Sequence, residues 1–291
     1  MRKSLLKTTW GGNMSKVKKF EYKVKTKNIK KRIVLLADIH YFDHKEHKYM
    51  NNVLKELKLI KYDFLCIAGD LLDRSIVKDS TFLLDWLKEL GSLSKVFIII
   101  GNHDVTNNRK TYEYELDDKL FKKINKIKNV VVLDNKVMTI SGINFIGLTL
   151  PIDYYYKYKE NVNYFIRYTN NLDFDIDEST YNVLLCHSPI PFFDKEVIKS
   201  TKVLEHANLI LAGHMHGGIT PKWMRRLLKG RGLIGPRKNL LPKNTYGKKS
   251  NGVQDIIITS GVTTASNMNP FSFTNRLFSP EITIIDLVKK I

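Results

Sequence analysis

Five short blocks of the sequence combine aspartate, asparagine and histidine in patterns typical of metal ligands. In chain order they are Asp38-Ile39-His40, Gly69-Asp70, Gly101-Asn102-His103-Asp104, Cys186-His187 and Gly213-His214-Met215-His216. Imidazole nitrogen together with carboxylate oxygen suits Zn, Fe or Mn better than Ca. One aspartate placed between two such ions is typical of a binuclear hydrolytic site, so the blocks predict metal-dependent hydrolysis.

The blocks follow apolar runs that predict buried strands. The runs are residues 32–37, 63–68, 96–100, 181–186 and 209–212. In open α/β sheets, ligands collect at the carboxyl ends of strands. We therefore expect the five blocks to form a single site.

The spacing of apolar residues between these runs predicts the rest of the fold. Helical periodicity recurs over residues 50–60, 82–90 and 116–127, and shorter strands are expected at 130–133, 137–140, 144–150, 255–259 and 282–287. This order, with helices and strands alternating first and mainly strands later, indicates a layered α/β domain. The Tyr-rich stretch around residues 154–158 predicts a flap or cap.

Each ligand candidate also has an ordinary structural interpretation. An aspartate after a strand is often a helix cap, a Gly-Asp pair is often a turn, and a single histidine is more often structural than a ligand. The joint pattern is what favours chemistry. The candidates for metal binding are Asp38, His40, Asp70, Asn102, His187, His214 and His216.

His103 is the histidine that we expect to stay off the metal ions. It suits donating a hydrogen bond to a phosphate oxygen or a proton to a leaving alkoxide. Asp104 beside it, or Asp73 nearby, could orient an imidazole ring from outside the ligand shell. We therefore place His103 and Asp104 in the candidate catalytic set.

The composition indicates the cellular compartment of the protein and the size of its hydrophobic core. With 291 residues, 43% of them hydrophobic, the chain can fill one large domain or two small ones. Cys66 and Cys186 both lie in apolar runs and are expected to be buried and reduced. No apolar run reaches the roughly 18 to 20 residues of a membrane span, and Leu5-Leu6 is too short for a signal peptide. We expect a cytoplasmic protein, or one that lies peripherally on the inner face of the membrane.

The net charge of +19 is concentrated in two segments. Residues 1–31 hold eleven Lys or Arg against Glu21 alone, and residues 221–250 hold ten Lys or Arg and no acid. We interpret residues 1–19 as a basic leader, of which 1–13 precede an alternative start at Met14, and 20–291 as one domain with a basic apolar insertion at 221–250. Trp223, Arg226 and Leu227 in the insertion fit an interfacial helix, so an anionic membrane surface is a candidate partner and nucleic acid a less favoured one.

The blocks together resemble the calcineurin-like metallophosphoesterases. The pattern of that family is D-x-H, G-D, G-N-H-D/E, a single H and G-H-x-H, and every part occurs in order from Asp38 to His216. The resemblance extends over residues 20–288 and implies two facing mixed β-sheets flanked by helices, a four-layer α/β/β/α sandwich. It also implies that Asp38, His40, Asp70 and His216 hold one ion, that Asp70, Asn102, His187 and His214 hold the other, and that His103 is catalytic.

Within the family, the chain resembles a compact bacterial branch. The similarity lies in Gly217-Gly218 after the last histidine and in Pro280-Glu281-Ile282. Members of that branch are often membrane-associated, and some act on lipid-linked phosphate or pyrophosphate esters. The chain departs from the common form at Ala37, where serine is usual, and in the absence of an anchor or export segment.

These observations predict a binuclear phosphoesterase that uses two divalent ions, Mn, Zn or Fe. The expected reaction is hydrolysis of a phosphodiester or pyrophosphate bond in a lipid-linked or nucleotide-type substrate, by attack of metal-bound hydroxide. The alternatives are a nuclease, a phosphomonoesterase and an inactive binding scaffold. The scaffold interpretation is disfavoured because no ligand of the motif pattern is missing.

Overall fold

The computed structural model describes residues 16–42, 47–106, 114–177, 179–221, 224–228, 231–236, 239–263 and 279–290. These residues form two sheets of six strands each. The first sheet has the order β1-β12-β2-β3-β4-β5, with β1 Lys18–Thr26, β2 Lys31–Leu36, β3 Phe64–Ala68, β4 Lys95–Ile99, β5 Val130–Val132 and β12 Glu281–Lys289. The second has the order β10-β11-β9-β8-β7-β6, with β6 Lys136–Ile140, β7 Ile143–Leu148, β8 Tyr181–Cys186, β9 Leu209–Ala212, β10 Gly247–Ser250 and β11 Asp255–Ile258.

Both sheets are mixed. In the first, β2, β3, β4 and β5 run parallel, and β12 pairs antiparallel with β2 and parallel with β1. In the second, β11, β9, β8 and β7 run parallel, while β10 and β6 pair antiparallel at the two edges. The central parallel strands therefore end on the same edge of their sheet, which is where the ligand blocks begin.

Helices cover the outer face of each sheet. Beside the first sheet lie α1 Lys48–Leu57, α2 Thr81–Leu93 and α3 Asp118–Asn125. Beside the second lie α4 Ile152–Tyr156, α5 Val162–Asn170, α6 Lys195–Ser200 and α7 Lys202–His206. Asp117 and Asn161 cap α3 and α5 with side-chain oxygens, which satisfy backbone N–H groups of the first turn.

The alternation of residues along the strands separates three apolar layers. In β2, Ile33 and Leu35 face the other sheet, whereas Val34 and Leu36 face the helices. Phe97 of β4 and Phe145 of β7 stack across the two sheets with ring centroids 4.2 Å apart. The core therefore lies between the sheets and beneath each helical layer, which confirms the predicted four-layer α/β/β/α sandwich of two facing mixed sheets.

Several expectations can be compared directly with the described residues. Cys66 and Cys186 are free and buried, as predicted. The Tyr-rich stretch packs as α4, with Tyr154 and Tyr155 buried against the second sheet, because their large rings fill the apolar layer there. β1 begins at Lys18, just before the predicted domain boundary at residue 20. Among the described residues, no helix is long and apolar enough to cross a membrane.

Candidate metal centre

The loops after β2, β3, β4, β8 and β9 meet at one edge of the two facing sheets. Backbone hydrogen bonds join them in pairs, including Asp38 N–H to Gly69 O (3.1 Å) and Gly213 N–H to His187 O (3.1 Å). The five ligand blocks therefore reach the same place from five loops, and the structure brings together all seven residues predicted to bind metal.

The backbone at these loops is strained. Five of the seven candidate ligands adopt the left-handed region that side-chain-bearing residues rarely occupy: Asp38 (φ 52°), His40 (48°), Asp70 (52°), His214 (67°) and His216 (45°). Strain of this kind persists where the surrounding structure requires it, and it concentrates at functional sites. These turns direct the ligand side chains into the site, whereas a regular strand ending would point them elsewhere.

One group of ligand atoms comes from Asp38, His40 and His216. His216 Nε2 lies 3.6 Å from Asp38 Oδ1, and His40 Nε2 lies 3.9 Å from the same oxygen. The two imidazole rings stack at a centroid distance of 5.2 Å. Within the described residues, neither Asp38 Oδ1 nor His40 Nε2 has a hydrogen-bond partner although both are buried. Unsatisfied buried polar atoms that converge in this way suit the ligand set of a divalent cation.

A second group comes from Asp70, His187 and His214. His187 Nε2 lies 3.0 Å from Asp70 Oδ2 and 3.2 Å from His214 Nδ1. His187 Nδ1 lies 2.8 Å from the carbonyl oxygen of Ala68. Because that oxygen can only accept, Nδ1 is the nitrogen that donates, and in the neutral ring Nε2 presents its lone pair to the group. A divalent ion suits this set of lone pairs.

Asp70 lies between the two groups. Its Oδ2 is 3.0 Å from His187 Nε2 and 3.8 Å from His40 Nε2. Its Oδ1 accepts the backbone N–H of His103 (2.8 Å), which fixes the carboxylate plane. Asn102 donates its amide to the Tyr156 hydroxyl (3.1 Å), and its buried Oδ1 has no hydrogen-bond partner within the described residues. Asn102 Oδ1 is therefore suited to ligate an ion.

His103 and Asp104 lie beside the two ligand groups described above and belong to neither of them. His103 is mostly buried, its Nδ1 lies 3.0 Å from the Asp73 carbonyl oxygen, and its ring meets His40 edge-on at 4.7 Å. The Asp104 carboxylate accepts backbone N–H groups of Leu72 (2.8 Å) and Gly101 (2.7 Å). Asp104 thus joins the loops after β3 and β4.

Asp73, and not Asp104, places its carboxylate beside an imidazole ring, that of His40. Its Oδ1 lies 3.5 Å from His40 Nδ1, on the side of the ring away from Asp38. His40, Asp73 and His103 also form a third cluster of potential ligand atoms. We interpret Asp73 as an outer partner of His40, because a metal-bound histidine usually presents its other nitrogen to a carboxylate or carbonyl.

The electrostatics of the site favour positive charge. Burial opposes ionisation of Asp70, yet the histidines around it, first among them His187, hold its pKa well below the ordinary value. Burial likewise opposes a charged His187, but Asp70 and then Asp38 raise the pKa of that ring to about 9. Burial and the nearby Asp70 raise the pKa of Asp104 to about 7. Asp70 therefore remains ionised among the histidines, and its negative charge also attracts cations.

Sequence reasoning missed Glu160 and Thr263. Glu160 Oε1 lies 3.2 Å from His214 Nε2, and Thr263 O lies 3.0 Å from His216 Nδ1. Glu160 belongs to the connection between α4 and α5, far from the ligand blocks in sequence, and Thr263 approaches only through its carbonyl group. Neither residue belongs to a motif, so the sequence contained no signal for them.

Comparisons with known proteins match the ligand blocks. The family model of the calcineurin-like phosphoesterases matches residues 31–218, the region from β2 to the end of the last block. A metallophosphoesterase of Helicobacter pylori, described as uncharacterised, is 29% identical over 194 residues, covering 64% of this chain and 45% of the relative. One from Campylobacter jejuni, also uncharacterised, is 25% identical over 199 residues, covering 67% and 47%. The chain therefore spans less than half the length of these curated relatives.

Similarity to solved structures is weaker. An archaeal phosphodiesterase aligns at 11% identity with a TM-score of 0.38, covering 78% of this chain and 82% of that one. The family match covers most of the chain and contains every ligand block in order. The residues that it matches converge at one edge of the sandwich in two groups suited to divalent metal ions. The chain therefore belongs to the calcineurin-like phosphoesterase family.

Proposed function

We propose that the chain is a binuclear metal-dependent phosphodiesterase or pyrophosphatase. The observation that supports this proposal best is the position of Asp70 between two groups of ligand atoms. One ion would be held by Asp38, His40, Asp70 and His216, and the other by Asp70, Asn102, His187 and His214. When bound, a pair of divalent ions lowers the pKa of water and neutralises charge on a phosphate group.

His103 is proposed as the residue that assists the leaving group. Its Nδ1 is engaged by the Asp73 carbonyl, so Nε2 is the nitrogen that can deliver a hydrogen bond or a proton. The backbone N–H of His103 donates to Asp70, which ties the ring position to the carboxylate between the two ligand groups. Asp104 would act by holding the loops on either side of His103.

The proposed substrate class is a lipid-linked or nucleotide-type phosphate ester. The support is the position of the basic apolar insertion, residues 221–250, beside the site. Leu233 and Ile234 donate backbone N–H groups to Gly218 O at 2.8 and 3.0 Å, and Gly218 follows the last ligand block by two residues. Arg225 anchors the same insertion through Glu281 (3.2 Å). An amphiphilic substrate held by the insertion would thus lie next to the metal centre.

The activity is tested by hydrolysis of an aryl phosphodiester and the matching monoester. Purified protein is assayed with Mn, Zn, Mg or EDTA, beside Asn102→Ala and the matched variant Asn171→Ala at an exposed position after α5. We expect metal-dependent diester cleavage that Asn102→Ala loses and Asn171→Ala keeps. Preference for the monoester would contradict the diesterase assignment, and absence of turnover with every metal would contradict the enzyme itself.

We also propose that the insertion docks on anionic lipid. Four of its apolar side chains are exposed: Leu227 (72%), Ile234 (38%), Leu240 (79%) and Leu241 (48%). Arg226 and Lys243 nearby are exposed as well, so apolar and cationic groups share one surface. Residues 224–228 form turns with one Leu228 N–H to Met224 O bond rather than a regular helix, and Trp223 lies outside the described residues.

Co-sedimentation with vesicles tests the docking proposal. Wild-type protein is expected to bind vesicles that contain phosphatidylglycerol, less so as salt is raised, and not to bind neutral vesicles. The double variant Leu227→Ser/Leu240→Ser should bind less, whereas Leu59→Ser, which changes an equally exposed leucine (74%) just after α1, should bind like wild type. Equal binding by all three proteins would contradict the proposal.

A further inference from the structure

The connection between α4 and α5 holds a buried carboxylate in an unfavourable backbone conformation. Lys159 and Glu160 are successive left-handed residues, at φ 50° and 58°. The Glu160 side chain is only 5% exposed, and its backbone N–H donates to Tyr154 O (2.7 Å). Left-handed non-glycine residues and buried carboxylates are both costly, so their coincidence suggests a role for this side chain.

Glu160 points at the second ligand group. Its Oε1 lies 3.2 Å from His214 Nε2 and accepts the hydroxyl hydrogen bond of Ser188 (3.1 Å). Ser188 follows His187 directly. One carboxylate oxygen therefore contacts His214 and the residue next to His187, the two histidines of that group.

The other histidines of the two groups each have an outer partner of their own. His187 has the Ala68 carbonyl and His216 has the Thr263 carbonyl, while His40 faces Asp73. For His214, Glu160 contacts the ring at Nε2, the nitrogen away from His187. This partner orients the ring so that Nδ1 faces His187 Nε2, 3.2 Å away.

We propose that Glu160 is a positioning residue of the metal site formed by Asp70, His187 and His214. It accepts the Nε2–H of His214, which leaves the Nδ1 lone pair directed at the ion and fixes the ring plane. The inference rests on the proposed function, because it presupposes that this group binds metal. It predicts that an element outside the motif blocks sets the affinity of one ion.

Tyr155 and Tyr156, which lie in α4 and precede Glu160, also contact proposed ligands of this ion. The Tyr155 ring centroid lies 5.3 Å from that of His214, and the Tyr156 hydroxyl accepts from Asn102 (3.1 Å). Glu160, Tyr155 and Tyr156 therefore contact Asn102, His187 and His214, three of the proposed ligands of one ion.

Metal titration of Glu160 variants tests the inference. Metal-free wild type, Glu160→Ala, Glu160→Gln and the exposed control Glu205→Ala are titrated with Zn²⁺ against a competing fluorescent chelator, and bound zinc is counted by elemental analysis. We expect Glu160→Ala to bind one ion normally and the other 10–100-fold more weakly, which is the usual loss for an outer partner. Glu160→Gln keeps an acceptor oxygen and should recover part of that loss.

A second measurement separates positioning from general stability. Long-range ¹H–¹⁵N spectra of the zinc-loaded wild type should show His214 with its hydrogen on Nε2. Thermal unfolding of the metal-free variants gives the structural contribution of Glu160. If Glu160→Ala lowers the melting temperature but binds both ions with wild-type affinity, the inference is overturned. If the wild type itself binds no zinc at this group, the proposed function fails, which is a different result.

Discussion

Asp70 and Asp104 show how one residue type serves two purposes at the scale of single side chains. Both are buried and lie in loops that follow neighbouring strands. Asp70 is surrounded by imidazole rings that lower its pKa, whereas Asp104 accepts backbone N–H groups of two loops, and burial raises its pKa. The environment therefore suits Asp70 to a cation and Asp104 to holding two loops together.

Loss of a single proposed ligand should remove metal and activity together. In Asn102→Ala or His214→Ala, the second ion loses a ligand atom, so we expect roughly one equivalent of metal to be lost and turnover to fall by more than the ~10–100-fold typical of an outer partner. Elemental analysis and initial rates on the aryl diester measure both. Asn171→Ala and His206→Ala are the matched controls outside the site. Wild-type metal content in both ligand variants would contradict the assignment.

His103→Ala should separate metal binding from proton transfer. Because His103 is proposed to assist the leaving group, we expect the variant to keep its metals and to lose about 10²–10⁴-fold in rate on substrates with poor leaving groups. Aryl esters with good leaving groups should be affected less. The measurement is kcat/KM against the pKa of the leaving group. A variant that hydrolyses alkyl esters at the wild-type rate would refute the role.

At the scale of elements, the turns that end the strands position the chemistry. The turn after β4 is an example, because a Cβ atom at Gly101 would overlap Asp70 Oδ1 and its backbone nitrogen. Only a residue without a side chain lets the loop after β3 approach so closely. The strand ends bring the loops to the same place, and Gly101 lets the loops after β3 and β4 come into contact.

Gly101→Ala should therefore damage the metal site more than its backbone cost alone would. The added methyl group must displace Asp70, so we expect zinc affinity to fall at least about tenfold, as for the loss of an outer partner. The control is Gly142→Ala, where a Cβ would meet nothing within 4 Å although φ is +75°. That change should cost about 1–2 kcal/mol of stability and leave zinc affinity intact. Equal zinc affinities in the two variants would contradict the steric argument.

At the scale of the whole molecule, the packing of the two sheets fixes the positions of the five loops relative to one another. Phe97 contributes from the first sheet and Phe145 from the second, and both are fully buried. Because the ligand loops come from both sheets, the distance between the sheets determines the distance between the ligand groups. The interior must be packed closely to fix that distance.

Phe97→Ala tests how closely the layer between the two sheets is packed. We expect the free energy of unfolding to fall by about 3–5 kcal/mol, because a large ring is removed from a packed layer. Urea denaturation of the metal-free protein measures the loss. Leu59→Ala, at an exposed position (74%), should change stability by no more than about 0.5 kcal/mol. A loss below about 1 kcal/mol in Phe97→Ala would mean that the layer tolerates the cavity by collapse.

Much of the fold was predictable because its signals are local. Continuous apolar runs identified the buried strands β2, β3, β4, β8 and β9, and helical periodicity identified α1, α2 and α3. The Tyr-rich stretch is different: its composition predicts a flap or cap but does not reveal whether the tyrosine rings pack inward or remain exposed. Tyr154 and Tyr155 are buried only because α4 lies against the second sheet.

The chemical types of the candidate ligands, their order along the chain and their positions at strand ends can all be read from the amino-acid sequence. These properties depend on residue identity and on short-range pattern. The contacts of Asp38 with His216 and of Glu160 with His214, and the position of Asp70 between two groups, arise in the folded protein. Those contacts join residues distant in the chain, and they depend on sheet order, loop strain and packing, which no local pattern encodes.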